Sequence, residues 1–493
     1  MARGWPLVLL LTVQAALTLR LVWSNTAFAD EALYLSAGRL ELARLFTGSP
    51  VPDFARYFSG APVIYPPLGA IAASAGGLAA ARLLSMALML TATVLLHGVT
   101  RRLFDRRSAF FAAALFAGLG GTQFLGALAT YDALALCLLA LGTWLAVIAA
   151  TRAGPEAGRL AAAAGVSVAV ANAAKYASGL FDPVVVGLAV LAVWPVRGRA
   201  AALRAGAILA AALAALLAVA VAAGGGSYLH GLMDTTLDRP SGGFPAARLL
   251  VLSGTWLWVV AGPAALGLVA AVTARRGRRF ALLAVVLFAA LLLAPAEQAC
   301  IHTYTSLYKH AAYGAWFGCA LAGYALASLS TVVPAAKAIA AFRVGVIAVA
   351  AAALPGIPAA TGQYQSWPDS TALIAAAAPV IVAHPGPILA DDGGSLLRFY
   401  LGAQVSRVPV DDTFYISYRG PGQRQPEHGL AGYADAIRHR YFAVVVLQFT
   451  DNLAVDDQIW HDLSTSGNYH IPVGGSIPYS ANRQFLIYVR NAQ

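Results

Sequence analysis

Charge is what this chain lacks most. Only 11% of its 493 residues are Asp, Glu, Lys or Arg, about half the share of a soluble domain. Lysine is almost missing, with Lys175, Lys309 and Lys337 the only three. Cysteine is nearly as scarce: Cys137 and Cys319 fall inside apolar runs and Cys300 at the end of one. No disulfide framework and no thiolate metal spacing is therefore spelled out. There is no internal repeat, and no low-complexity tract beyond alanine-rich apolar runs. What fills the chain is hydrophobic residues, at 59%, with a mean hydropathy of +0.69. Such a composition describes a polytopic α-helical membrane protein.

Apolar windows of about 19 residues predict eleven spans, near 5–23, 79–99, 108–128, 131–150, 160–176, 181–196, 204–223, 247–272, 280–297, 311–332 and 341–358. Arginines orient them. Arg101, Arg102, Arg106 and Arg107 follow the second span, Arg152 and Arg159 the fourth, and Arg197, Arg199 and Arg204 surround the turn after the sixth. Arg275, Arg276, Arg278 and Arg279 follow the eighth, Lys337 and Arg343 the tenth. Every second connection is thus short and basic, which puts those connections and the N-terminus in the cytoplasm. The net charge of +11 is mostly this topology signal, so nucleic acid is not an expected partner. No small-residue cleavage site follows Trp23, and the first span reads as a retained anchor.

The other connections then lie outside. The first, 24–78, is long for a structureless loop and is expected to form short helices on the membrane surface. The connection 224–244 is glycine-rich and polar, suited to a flap, and 297–310 gathers polar, aromatic and basic groups. The expected domains are a membrane part, 1–358, and a soluble extracytoplasmic part, 359–493. In the latter, strand-like runs at 387–391, 405–410, 441–449 and 484–490 alternate with helical stretches near 370–383, 395–401 and 433–438. That alternation predicts a small α/β domain with a largely buried sheet. The Asp391-Asp392-Gly393-Gly394 run reads as a turn after a strand.

Acids and bases collect on the outer side. Asp30 and Glu31 stand where the first apolar run ends, a costly place for carboxylates; a plain loop helix would also use them at its start. Asp132 opens the fourth span, where it could simply complement a helix N-terminus. Lys175 and Lys309 fall at outer span ends among aromatics, and snorkelling to headgroups would place lysines there too. His302, Tyr304 and His310 accompany Lys309 and could be interfacial anchors. None of these separate explanations accounts for acids and bases on one face.

The ordered segments FADEALY (28–34), YPPLGA (65–70), AARLLSM (80–86), RRLFDRRSAFFAAAL (101–115) and TYDALAL (130–136) carry a resemblance. Together they are similar to the polyprenyl-phosphate-sugar glycosyltransferases of the GT-C fold, in the branch of protein O-mannosyltransferases and lipid A aminoarabinose transferases. The likeness covers roughly 1–330 and fades in the tail. It implies an inverting transfer of a sugar, mannose or arabinose first, from a polyprenyl phosphate to an acceptor hydroxyl outside the cytoplasmic membrane. Alanine- and arginine-rich usage points to a bacterial source. The acceptor, whether protein, glycan, glycolipid or secreted peptide, is left open.

On that reading Asp30 or Glu31 is the general base that a hydroxyl of high pKa needs, with Asp132 as a further catalytic acid residue. The departing phosphate needs cations rather than a general acid, and Lys175, Lys309, Arg82 and His310 are the candidates. Tyr57, Tyr65, His302 and Tyr304 are candidate contacts for acceptor or sugar. No pyrophosphate is implied, so no cofactor is required, although Asp30, Glu31 and Asp132 could take a divalent ion such as Mg or Mn. The alternative is a polytopic transporter or lipid-linked sugar flippase. That class should show repeated halves and broken helices at the midplane, whereas the distinctive charges here sit at outer span ends.

Overall fold

The computed structural model describes residues 5–273, 277–332, 337–391, 393–405, 408–413, 416–449, 453–480 and 483–492. It divides into two units, one of Met1–Ser24 with Gly38–Tyr364, the other of Asn25–Ala37 with Gln365–Gln493. The helix that follows the first span belongs to both. Its opening residues, to Ala37, group with the tail and those from Gly38 with the membrane unit.

The membrane unit is helical. Its helices are α1 (Trp5–Val22), α2 (Ala29–Thr47), α3 (Tyr65–Leu103), α4 (Arg106–Gly118), α5 (Gly120–Ala127), α6 (Tyr131–Ala149), α7 (Gly154–Ala174), α8 (Asp182–Thr235), α9 (Ala246–Thr273), α10 (Arg278–Cys300), α11 (Leu307–Val332) and α12 (Lys337–Tyr364). Among the described residues nine helices are long and apolar enough to cross a membrane, or ten if the bent pair α4–α5 counts as one span. The chain is a multi-pass membrane protein. α6 and α11 form the centre, with 72% and 83% of their apolar windows buried. By contrast α1, α8 and α9 leave Val8, Val219, Val251 and Val269 exposed, as lipid-facing helices do.

Glycine sets the breaks. Gly77 at φ +63° interrupts α3, and Gly198 at φ +80° interrupts α8, in conformations that side chains with a Cβ avoid. The break in α8 separates the two spans expected at 181–196 and 204–223, and the second arm of α3 is the span expected from 79. The long connection 24–78 holds α2, a 3-10 turn at Phe54–Arg56 and the first arm of α3. One expectation fails: 108–128 is not a single straight span but α4 and α5 bent by 63°. Leu119 takes an extended backbone (φ −59°, ψ 139°), and the bend lies tight against α12. A Cβ on Gly120 would stand 2.8 Å from the Gly356 carbonyl oxygen.

Arg20 inside α1 is expensive in an apolar span. It is satisfied within the bundle, donating to Thr361 Oγ1 (2.6 Å), Gln123 Oε1 (2.8 Å) and the Ile357 carbonyl (3.1 Å).

The second unit is an α/β domain. Its elements are α13 (Thr371–Ala383), β1 (Ile388–Ala390), α14 (Gly393–Tyr400), α15 (Gly402–Val405), β2 (Val410–Asp411), β3 (Ser417–Tyr418), β4 (Glu427–His428), α16 (Gly429–Arg438), β5 (Val444–Leu447), α17 (Leu453–Thr465), β6 (Tyr469–His470), β7 (Ser476–Ser480) and β8 (Arg483–Arg490). The main sheet runs β2-β1-β5-β8-β6 with β7 also on β8. β1 pairs parallel with β2 and β5, while β8 is antiparallel to its neighbours. Two apolar cores flank it, one including Ile388, Val444 and Ile487, the other Leu389, Val445 and Tyr488. Period-two alternation of the strands feeds both.

Here the strand expected at 405–410 fails. Val405 closes a helical turn through its N–H to the Leu401 carbonyl (3.2 Å) and buries its side chain in the core, leaving only Val410 in a strand. Residues 406–407 and Asp392 lie outside the described residues. α15, β3, β4, α17, β6 and β7 lie outside the elements expected from the sequence. α17 is a polar, amphipathic helix that buries only Asp456, Ile459 and Leu463, too few apolar positions to stand out in the sequence.

Candidate functional site

In the membrane unit, three helix ends meet around two lysines. Lys175 ends α7 at its C-cap, and the next residues, Tyr176–Phe181, form a 3-10 turn. Backbone bonds sew the segment 59–61 to it, from Tyr176 N–H to the Ser59 carbonyl (3.0 Å) and from Ala61 N–H to the Ala173 carbonyl (2.7 Å). This fixes Ser59 beside Lys175. Lys175 Nζ donates to Ser59 Oγ at 2.9 Å and lies 4.7 Å from the centre of the Tyr131 ring. Ser59 Oγ and the Tyr131 hydroxyl are 2.6 Å apart. Tyr65 meets Tyr131 edge-on, with ring centres 6.5 Å apart.

Asp132 stands in the first turn of α6, where the helix dipole favours a carboxylate. It is fully buried. Thr130 Oγ1 donates to its Oδ2 at 2.9 Å, and Lys309 Nζ lies 3.8 Å from the same oxygen. Tyr313 reaches across from α11 to donate to the Asp132 carbonyl at 2.9 Å. Lys175 and Lys309 are only 4% and 7% exposed. Neither ammonium has snorkelled to water.

His310, next to Lys309, takes a hydrogen bond at Nδ1 from Gln298 Nε2 at 2.8 Å. A side-chain amide nitrogen only donates, so Nδ1 accepts and the neutral ring carries its proton on Nε2. That Nε2 has no hydrogen-bond partner among the described residues. His310 and Tyr313 line a cavity of 450 Å³ whose walls include Leu180, Phe181, Val221 and Leu232. Its further polar lining is Asn172, Tyr176, Asp182, Tyr228, Thr235, Thr236, Arg239 and Glu297, one guanidinium beside two carboxyl groups. Asp182 is engaged by Asn172 Nδ2, at 3.0 and 2.8 Å. Lys309 directly precedes His310 at the start of α11, and Arg239 lines the same cavity as the ring. A chamber with apolar walls and hydrogen-bonding groups at His310 and Arg239 suits an amphiphile.

The remaining expected residues are more dispersed. Arg82 is buried in α3, donating to the Val22 carbonyl at 2.8 Å with its guanidinium 5.2 Å from the Tyr364 ring centre. His302 sits at φ +53° and its Nδ1 is 2.9 Å from the Phe244 carbonyl, while Tyr304 stacks on Phe244 at 5.4 Å. Tyr57 is exposed and packs edge-on to Phe54 and Phe58.

The acid pair opens α2 in the second unit. Glu31 is buried and turns back to accept the Phe28 N–H at 2.9 Å, the reciprocal half of a capping box. Asp30 is half-buried. The segment ahead of them is tied to the tail: the Ala27 N–H donates to the Tyr400 hydroxyl (2.9 Å), and Trp367 Nε1 to the Thr26 carbonyl (3.1 Å). Glu31 is thereby engaged in capping its own helix.

Among the described residues, no group of three or more His, Cys, Asp or Glu comes together to hold a metal ion. Sequence reading missed Ser59, Tyr131, Gln298 and Arg239. Tyr131 adjoins Asp132, and Arg239 is the lone arginine of the connection 224–244, the signals that could have found them.

Residues 70–223 match the family described as dolichyl-phosphate-mannose-protein mannosyltransferase. No curated protein matches the chain by sequence. Among solved structures, ArnT from Cupriavidus metallidurans bound to undecaprenyl phosphate is similar over 100% of this chain and 99% of its own, with 14% identity and a TM-score of 0.62. Its apo state gives 0.60 at 16% identity, over 99% and 98% of the two chains. The Archaeoglobus fulgidus oligosaccharyltransferase in complex with Zn and sulfate gives 0.56 at 15% identity, over 98% of this chain and 73% of that one. The chain has the GT-C fold, and its residues 70–223 are similar to that mannosyltransferase family.

Proposed function

We propose that this protein is an inverting glycosyltransferase that takes a sugar from a polyprenyl-phosphate donor and places it on an acceptor hydroxyl at the extracytoplasmic face of a bacterial cytoplasmic membrane. The observation that carries the proposal is the 450 Å³ cavity of largely apolar walls lined by His310 and Arg239, with buried Lys175 and Lys309 the chain neighbours of its lining residues Tyr176 and His310. The ArnT relative bound to undecaprenyl phosphate supports a prenyl phosphate as the occupant.

The chemistry follows from charge. The acceptor oxygen attacks the anomeric carbon, and the bond from that carbon to the phosphate oxygen breaks. Its electron pair stays on the phosphate, whose growing negative charge the cations stabilise. Lys175 and Lys309 act as compact point charges, and His310 Nε2–H as a fixed donor. Asp132 is a positioning residue that holds Lys309. Asp30 takes the acceptor proton, assigned by resemblance. Tyr57, Tyr65, His302 and Tyr304 are the proposed sugar and acceptor contacts, and mannose or arabinose the proposed sugar.

The test is binding of polyprenyl monophosphate to the purified protein by native mass spectrometry. The wild type should bind it, and Lys175→Met with Lys309→Met should weaken it at least about tenfold, the equivalent of about 1.4 kcal/mol. Equal binding by wild type and double variant would remove the phosphate site.

A further inference from the structure

A second cavity lies at the other end of α6. α6 begins at Tyr131, beside Lys175, and ends at Ala149 after 19 residues. At about 1.5 Å per residue that is about 28 Å, close to the thickness of the hydrocarbon core. Ala150 and Thr151, just past its C-terminus, line a cavity of 190 Å³ together with Arg102 and Arg279. It therefore sits at the headgroup level of the membrane face opposite the lysine cluster.

The walls are apolar. Leu103, Val147, Leu191 and Phe280 line the cavity, and Val196, also lining it, is 64% exposed, so the cavity reaches the lipid-facing surface. Pro195 stands inside α8 and withholds the N–H that the Leu191 carbonyl would accept, opening the helix at this level. No carboxylate is among the lining residues. Arg279 makes no hydrogen bond or ion pair among the described residues. Arg102 donates to its own helix at the Gly98 carbonyl (3.1 Å) and lies 5.8 Å from the Trp144 ring centre, so its charge has no acidic partner there. Of the acids nearest in sequence, Asp105 caps α4 through the Arg107 and Ser108 N–H groups, and Glu156 pairs with Arg152 at 3.4 Å.

We infer that this cavity is a binding site for an anionic phospholipid, its phosphate held between Arg102 and Arg279 and its acyl chains lying along the apolar walls towards Val196. Two guanidinium groups with forked donors suit a phosphate, and basic pockets between membrane helices recruit acidic headgroups. The site is separate from the donor cavity by the length of α6 and does not depend on the transferase reading.

Native mass spectrometry of the full protein released from nanodiscs tests it, with phosphatidylglycerol competing against phosphatidylcholine. The wild type should retain phosphatidylglycerol in preference by about tenfold. Arg102→Gln with Arg279→Gln should bring the two lipids to parity, and Ala192→Trp, which fills the cavity and keeps both charges, should do the same. Arg159→Gln, a basic residue outside the cavity, should keep the preference. The inference is overturned if the double variant retains the preference, if Arg159→Gln loses it equally, or if millimolar inorganic phosphate displaces the lipid as well as phosphatidylglycerol does, which would make this a site for free anions.

Discussion

Separating Lys309 from Asp132 should damage both the fold and the reaction. Their charged atoms are 3.8 Å apart with side chains 9% and 0% exposed. At an effective dielectric of about 20, two unit charges at that distance attract by about 4 kcal/mol, of which desolvation cancels a large part. Removing one partner of such a pair strands the other and costs about 3–5 kcal/mol. Lys309→Met and Asp132→Ala should each lower stability by about that amount. The double variant should be less destabilised than the two added together, with a coupling of about 1–3 kcal/mol. Equilibrium unfolding in mixed micelles, followed by tryptophan fluorescence, reads the four corners of the cycle. Turnover should show the same non-additivity if Asp132 serves, as proposed, to hold Lys309. Asp132→Asn should fall between, since an amide oxygen can still accept from Thr130 Oγ1 but carries no charge. A coupling below about 0.5 kcal/mol together with additive losses in turnover would refute the reasoning.

Asp30→Asn should slow transfer by about 10²–10⁴-fold with donor binding intact. Glu31→Gln should stay active, because its amide oxygen still caps Phe28, and Glu31→Ala should cost about 1 kcal/mol of stability in a melting experiment; the reverse ranking of the two acids in turnover would exchange their roles. Arg239→Ala should raise the donor KM about tenfold or more, as expected for losing a charged hydrogen bond, and an unchanged KM would remove Arg239 from the phosphate end. In the tail, burial and the facing Asp391 carboxyl push Asp456 up to about 8. The folded chain then holds a proton that the unfolded chain releases near pH 4 (about 3.9 for a free Asp), so this contribution is full below about pH 4 and is lost as pH rises through about 8. Asp456→Asn should flatten that decline and slow hydrogen exchange of Val444–Leu447 at pH 8, and an unchanged slope would show that the pair shares no proton.

Which parts of this protein were legible in its sequence follows from how strongly each part is encoded. Apolar length and arginine placement mark the spans, because a bilayer demands both. The bend between α4 and α5 escaped, since it arises from a close approach to α12 that no local pattern announces. The lysines stood out by rarity, and Asp132 by its place at a helix start. Ser59 and Tyr131 did not, because an ordinary serine and tyrosine become part of a site only when distant segments are sewn together, as the backbone bonds of 59–61 to 173–176 do. The acid pair was visible as a pair, but the difference between its members was not. That difference depends on helix phase: Glu31 falls at the third helical position of α2, from which a carboxylate reaches back to the Phe28 N–H. In the tail, strands buried on both faces were legible as continuous apolar runs, whereas short edge strands such as β6 and polar α17 lack that signature.

The central claim is transfer from a lipid monophosphate, and one measurement tests it most directly. Purified protein in liposomes is given polyprenyl-phosphate mannose or aminoarabinose with a hydroxyl acceptor, and the anomeric configuration of the product is read by NMR. Polyprenyl monophosphate should be released with inversion at the anomeric carbon, and the reaction should be abolished in Lys175→Met with Lys309→Met. Retention of configuration, or transfer only from nucleotide or pyrophosphate-linked sugars, would contradict it.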